Sequence, residues 1–505
     1  MVGRKFFYPV IYHTDEQAHK WEQLCRTNPK RVIDALTLGP TQEMRIDRIN
    51  QWGDTFADVG PALFAISQIA AAQNSVWDRL VRLGITDILA RGAKEYVPFM
   101  SRLPASHPEE LQEQLSRDVP AAYYPPLDVL CSGVKGFSIE CTPSVIGRRY
   151  IQDLKRNWSG MMQRLWDDPD NTLKEGSVHA RERALIPQML VRLIGADPTF
   201  LSILDSESDL TIPVVARFFV HATEALDTPI LASLLAQLTE PSFEILEEYR
   251  KTNPRPPWFL RRILLGASSP HRLLSACASY LDFLAENDIE PVFAFAMGLC
   301  SVIEREQHLQ FLHCSRRSVP FWKSIFTYVS IASEFWCTQW IINVQSCVQQ
   351  CARTAADQLE PLISTWVKAG FFDALDAGIP RCIDNPVMMH ILTRIFGSFL
   401  SAIEKHQSLV VLIGKEFPRP RLLRILAERA FFKDGKVLQP SEWVTHKGFT
   451  VRDAHNTPID GDAWKETAFT AVDELMRKCL KKDTSDAQRD IVDEIVRGQT
   501  GRSTN

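Results

Sequence analysis

A side-chain capping residue followed directly by proline recurs along these 505 residues, and six such pairs, Asn28-Pro29, Thr142-Pro143, Asp197-Pro198, Thr228-Pro229, Ser269-Pro270 and Asn385-Pro386, stand at candidate helix starts. Each pair leads into a run of apolar residues at helical spacing. The capping side chain accepts from amides that have no partner in the first turn, and proline there gives up an N–H that had none to make. After Thr228-Pro229 the apolar positions are Ile230, Leu231, Leu234, Leu235 and Leu238; after Ser269-Pro270 they are Leu273, Leu274, Cys277, Leu281 and Leu284. Such single stripes belong to helices with one buried face. The same pattern predicts further helices at about 15–27, 41–52, 108–117, 147–166, 180–194, 241–250, 289–303, 319–350, 361–369, 409–431 and 462–482. No run reads convincingly as a strand. An all-α fold follows, and short helices joined by tight turns over such a length point to stacked helix pairs more than to one bundle.

Three regions interrupt the pattern. Residues 118–143 carry Pro120, Pro125 and Pro126 and read as a connection, residues 433–461 read as an irregular loop with a brief hairpin near 444–452, and 497–505 read as a disordered tail. The expected organisation is therefore N-terminal helical repeats over 1–117, a central repeat region over 144–432 and C-terminal helices over 462–496.

Two windows share a spacing. Residues 81–92 are VRLGITDILARG and residues 367–378 are VKAGFFDALDAG, so Val, Gly, Asp, Leu and Gly recur 286 residues apart. Gly84 and Gly370 can take the left-handed conformation that ends a helix. Thr86 or Asp87 then predicts a cap for a short second helix that Gly92 stops, with Asp373 and Gly378 in the same parts in the second copy. Here the sequence resembles armadillo- and HEAT-type repeats, and DAGIP, Asp376 to Pro380, resembles an armadillo turn. Seven units of about 41 residues would fill the 286-residue offset, near the period of about 40–47 in those arrays. The resemblance implies a right-handed superhelix of stacked helix pairs. The phrases LISTWVKAGFFDALDAGIP and LLRILAERAFFKDG are also similar to the helical regions of large fungal proteins that carry a MYND finger. That finger's paired cysteines have no counterpart: Cys347-x3-Cys351 and His313-Cys314 lack partners at ligand spacing, so its zinc site and peptide-binding role do not carry over.

Composition excludes several classes. A net charge of −4 provides no general field for nucleic acid or anionic membrane. Eleven cysteines, an odd number set mostly among apolar neighbours, read as reduced core residues. The N-terminal apolar run is broken by Pro9 and too short for a secretory signal, which predicts an intracellular, cytoplasmic protein and leaves the nucleus open. Residues 335–352 hold no charge, yet Thr338, Gln339, Asn343, Gln345, Ser346, Gln349 and Gln350 fit a buried helix better than a membrane span.

Motifs that carry chemistry are sparse. Asp167, Asp168 and Asp170 in WDDPDN resemble the magnesium-binding cluster of helical terpene synthases, where carboxylates one turn apart hold metal against diphosphate; Pro169 and Asn171 break the pattern, and a turn closing a helix is the better reading. Ser132-x-x-Lys135 matches a serine–lysine pair but falls in the 118–143 connection. His179, His221, His308 and His313 are dispersed, and no phosphate-binding glycine loop or nucleophile elbow occurs. No catalytic residue, metal or cofactor is predicted. Two basic stretches remain as candidate partner contacts: RPPWFLRR, with Trp258, Arg261 and Arg262, and KEFPRPRLLRILAER, with Arg421 and Arg424. The other reading of the second is a solvated face with Arg424 and Glu428 paired. The sequence predicts a non-enzymatic scaffold for an unidentified protein or peptide; the alternative is a helical enzyme with a dispersed metal-dependent site.

Overall fold

A computed structural model describes residues 5–7, 11–39, 48–96, 123–137 and 143–417 apart from 223, 241–243, 285, 307 and 386, with short stretches between 419 and 479. The described chain is mostly helical. Its strands are limited to three two-stranded antiparallel hairpins, pairing 5–7 with 11–13, 432–433 with 436–437, and 451–452 with 458–459. The predicted helix at 108–117, most of those at 41–52 and 462–482, the hairpin residues 444–450 and the tail lie outside the described residues.

Helix starts follow capping chemistry, with shifts. Asn28 caps Pro29–Leu36 and Asp197 caps the turn Pro198–Phe200. Ser269 Oγ accepts from the Arg272 amide at 3.1 Å ahead of Pro270–Phe283. Elsewhere the start moves: Ser144 caps Val145–Asp167, two residues beyond the Thr142-Pro143 pair, and Thr228–Thr239 begins after Asp227. The predicted run 319–350 is two helices, Val319–Val329 and Glu334–Thr354. The break has a cause. Arg381 donates to the carbonyls of Val329 at 3.1 Å and Ala332 at 2.9 Å, and to that of Ser330, taking the carbonyls a continuous helix would use.

The connection predicted at 118–143 is corrected by a helix, Tyr124–Gly133. Pro125 and Pro126 fall in its first turn, where no amide is needed, so they start the helix instead of interrupting one.

The chain forms two compact units, Met1–Leu273 with Ala285–Phe295, and Leu274–Leu284 with Ala296–Asn505. The division lies within the region 144–432 that the sequence reads as continuous. In the first unit Tyr124–Gly133 packs on Val59–Ala72, Ile85–Glu95 and Ser177–Ala196, while Thr211–His221 packs on Thr228–Thr239 and Phe259–Ala267. Trp158 is fully buried there, edge-on to Phe200 at 5.1 Å, and its Nε1 donates to Thr211 Oγ1 at 2.8 Å. In the second unit Glu334–Thr354 packs on Phe371–Cys382 and Met388–Lys405. Its core is an aromatic column in which Trp366, Phe371 and Phe399 stack at 5.5 Å spacings, with Trp322 edge-on to Trp366.

Both repeated windows contain the predicted junction. Gly84 (φ 88°) and Gly370 (φ 91°) are left-handed and join Ser75–Arg82 to Ile85–Glu95, and Leu359–Lys368 to Phe371–Cys382. The rest differs from expectation. Each glycine occupies the cap position itself, and neither Thr86 nor Asp87 caps. Gly92 and Gly378 lie inside their helices and stop nothing. A Cβ on Gly92 would stand 3.0 Å from the Tyr96 ring and one on Gly378 3.1 Å from Val329, so these glycines admit close neighbours.

The half-buried carboxyl of Asp128 should make the stability of the first unit depend on pH. Burial pushes Asp128 above its ordinary value, against the pull of Lys135 and a hydrogen bond from Ser67 Oγ at 3.3 Å. A carboxyl with a raised folded pKa costs stability once ionised; the cost is full above that pKa and absent below the unfolded value. Asp128→Asn should therefore raise the urea midpoint at neutral pH and lose the gain below about pH 4. Equal destabilisation at both pH values would contradict this.

Candidate functional site

The stretch RPPWFLRR enters the helix Phe259–Ala267, and most of its charge turns inward. Arg262 is 5% exposed. Its Nη1 donates to the carbonyls of Leu204 and Ser206, the latter at 2.8 Å, and Nη2 lies 3.6 Å from Asp209 Oδ1. Arg261 is exposed and pairs with Glu207 at 3.3 Å. Arg250 completes the set with two bonds to Asp205, at 2.7 and 3.1 Å. Three arginines thus clasp the acidic turn LDSESD, residues 204–209. Arg262 is a strut in this clasp and not the free partner contact predicted, because the acidic residues that neutralise it lie over fifty positions earlier in the chain. Trp258 is half-buried. Arg421, in the second unit, is exposed, while Arg424 and Glu428 lie outside the described residues.

The acidic cluster is spent on local bonds. Gln163 donates to both oxygens of Asp167 at 2.8 Å, Asn171 donates to Asp168 at 2.8 Å, and Asp170 is exposed on the short helix Pro169–Thr172. Among the described residues no three His, Cys, Asp or Glu side chains are grouped so as to hold a metal ion. Ser132 is buried at the end of Tyr124–Gly133, 3.5 Å from the Ser67 hydroxyl.

Sequence reasoning missed a buried polar group in the first unit. Arg183 is 1% exposed and Asp227 fully buried; the guanidinium Nε donates to Asp227 Oδ2 at 2.6 Å and Nη1 to the Lys174 carbonyl at 2.7 Å. One turn away, His179 Nδ1 meets Glu182 Oε2 at 2.8 Å, also buried. The three-residue spacing of His179 and Glu182 in HARERALIP was a readable signal; the 44-residue separation of Arg183 from Asp227 was not. Asp87 and Asp373, equivalent in the two windows, each receive an arginine from a later segment. Asn157 donates to Asp87 at 2.8 Å and Arg156 at 3.2 Å, while Arg419 holds Asp373, Asp376 and Glu416. These aspartates are engaged by side chains of the same unit.

The surface feature that stands apart is on Glu334–Thr354. This helix is not buried throughout, as predicted, but along one stripe: Cys337, Trp340, Ile341, Val344, Cys347, Val348 and Cys351. Its other side presents Phe335, 59% exposed, and Ile342, 39% exposed, two turns apart on one face, with Ser346 a further turn on. Ile331 is exposed just before the helix. Phe335 leans edge-on against Trp336 at 4.9 Å. Between Glu334 and Arg353 the face carries amides and hydroxyls and no charge.

Fold and surface together define an all-α protein of packed, closely joined helices. No described helix is long and apolar enough to cross a membrane. No family model matches the sequence, and no characterised protein matches it significantly.

Proposed function

We propose that this chain is a scaffold that holds a protein or peptide partner, built as an armadillo/HEAT-like right-handed superhelix of stacked helix pairs and acting in the cytoplasm. The exposed, charge-free face of Glu334–Thr354 carries the reading, because large apolar side chains on an uncharged surface mark places where a partner excludes water. A further feature supports it: glycine-joined helix pairs occur in both units. The enzymatic alternative has less support, since Asp167 and Asp168 are engaged by Gln163 and Asn171.

Quantitative affinity purification of the full chain beside Phe335→Asp/Ile342→Asp tests this. Hot-spot aromatics at interfaces contribute about 2 kcal/mol or more, so the double variant should lose partners enriched by the parent at least about thirty-fold. Identical partner sets, or no enrichment over background by the parent, would sink the proposal. Small-angle scattering of the same samples tests the superhelix: an elongated profile is expected, and a compact one contradicts it.

A further inference from the structure

His221 ends the helix Thr211–His221, and Arg272 stands in the first turn of Pro270–Phe283. The Arg272 Nη2 lies 2.7 Å from His221 Nε2, so the imidazole accepts from the guanidinium and is neutral in this contact. Four residues before His221, Arg217 lays its guanidinium 3.3 Å from the centre of the Trp166 ring and donates Nη1 to the Trp166 carbonyl at 2.8 Å. Stacking fixes that side chain and leaves its remaining N–H groups to face elsewhere.

The charge here is unbalanced. Burial, followed by Arg272, Arg183 and Arg217, holds His221 below its ordinary value. Of those three cations Arg183 is neutralised by Asp227 at 2.6 Å, and its Nη2 still has no hydrogen-bond partner among the described residues. Arg217 feels Asp167, but that carboxylate is exposed and bonded to Gln163. Among the described residues neither Arg217 nor Arg272 has a carboxylate at ion-pair distance. Arg272 meets His221 directly where the C-terminal end of Thr211–His221 adjoins the first turn of Pro270–Phe283, and Arg217 lies one turn earlier on the helix of His221.

We propose that Arg272, Arg217 and His221 bind a phosphate group, free or as a monoester. Guanidiniums on two separate helices offer N–H groups from two directions, which suits a tetrahedral dianion with several acceptor oxygens better than a flat carboxylate. On binding, Arg272 turns from His221 to the phosphate, and the imidazole becomes a third donor. This inference is independent of the scaffold reading, because it concerns a small ligand and residues of the first unit only.

The test uses the full chain with inorganic phosphate and phosphoserine in separate titrations, read by calorimetry and by the His221 imidazole resonance, assigned through His221→Gln. Saturable binding of either compound that moves the resonance is expected, and the tighter of the two identifies the source. Arg272→Gln should weaken binding at least about ten-fold, as loss of a charge-assisted contact does. Arg217→Lys should weaken it less, and Arg261→Gln, which removes an exposed arginine elsewhere, should leave it unchanged. All three sites are at least partly exposed, and circular dichroism verifies that the variants fold. Absence of saturation with both compounds, or undiminished affinity in Arg272→Gln, overturns the proposal.

Discussion

Asp227→Ala should cost the first unit about 3–5 kcal/mol, among the largest losses available to a single substitution in this protein. The carboxylate is fully buried, and its partner Arg183 is 1% exposed. Removing the acid leaves a guanidinium in the interior with only the Lys174 carbonyl to receive it at 2.7 Å. The pair itself need not be strongly stabilising, since its attraction is offset by the desolvation of both ions; the penalty comes from the charge left behind. That distinction is measurable. Arg183→Met/Asp227→Leu should recover much of what Asp227→Ala loses, giving a strongly non-additive cycle. Hydrogen exchange in Ser177–Ala196, which carries Arg183, reports the unit directly. A loss below about 1 kcal/mol, in the range of exposed pairs, would show that water reaches Arg183 freely.

Gly266→Ala should be comparably severe for a different reason. Phe259–Ala267 crosses Thr211–His221 so closely that a Cβ on Gly266 would fall inside contact distance of the Pro213 carbonyl oxygen and 2.9 Å from Ala216 Cβ. Overpacking a core commonly costs about 1–3 kcal/mol, and the upper end or beyond is expected where the obstacle is backbone that cannot change rotamer. The same change at Gly397, within Met388–Lys405, meets nothing within 4 Å. There alanine should gain up to about 1 kcal/mol from helix propensity. Opposite shifts of the two unfolding midpoints are expected. A neutral Gly266→Ala would mean that the helices separate at little cost.

Local chemistry was legible in the sequence, and distant pairing was not. Helices at 147–166, 180–194 and 289–303 appear as Val145–Asp167, Ser177–Ala196 and Glu286–Glu306, because apolar spacing and caps are properties of neighbouring residues. The break between Val319–Val329 and Glu334–Thr354 was hidden because Arg381, about fifty residues on, takes the carbonyls there. Tyr124–Gly133 was hidden because prolines that start a helix look like those that prevent one. For the functional residues the same divide holds. RPPWFLRR reads as a basic patch until the turn 204–209 is placed beside it, and FWCTQWIINVQS reads as buried until its stripe is separated from its open side.

The left-handed junctions at Gly84 and Gly370 set how each half tolerates change of length. Each glycine is the cap that opens the second helix, so the buried stripe of that helix has a fixed phase against the first. One inserted residue ahead of the buried stripe of Ile85–Glu95 or Phe371–Cys382 would turn it by about 100°, carrying Leu89 or Leu375 out of its contacts. These junctions therefore act as phase locks. Insertions and deletions in relatives of this chain should gather in solvent-facing turns and leave the spacing from glycine to aspartate to leucine intact.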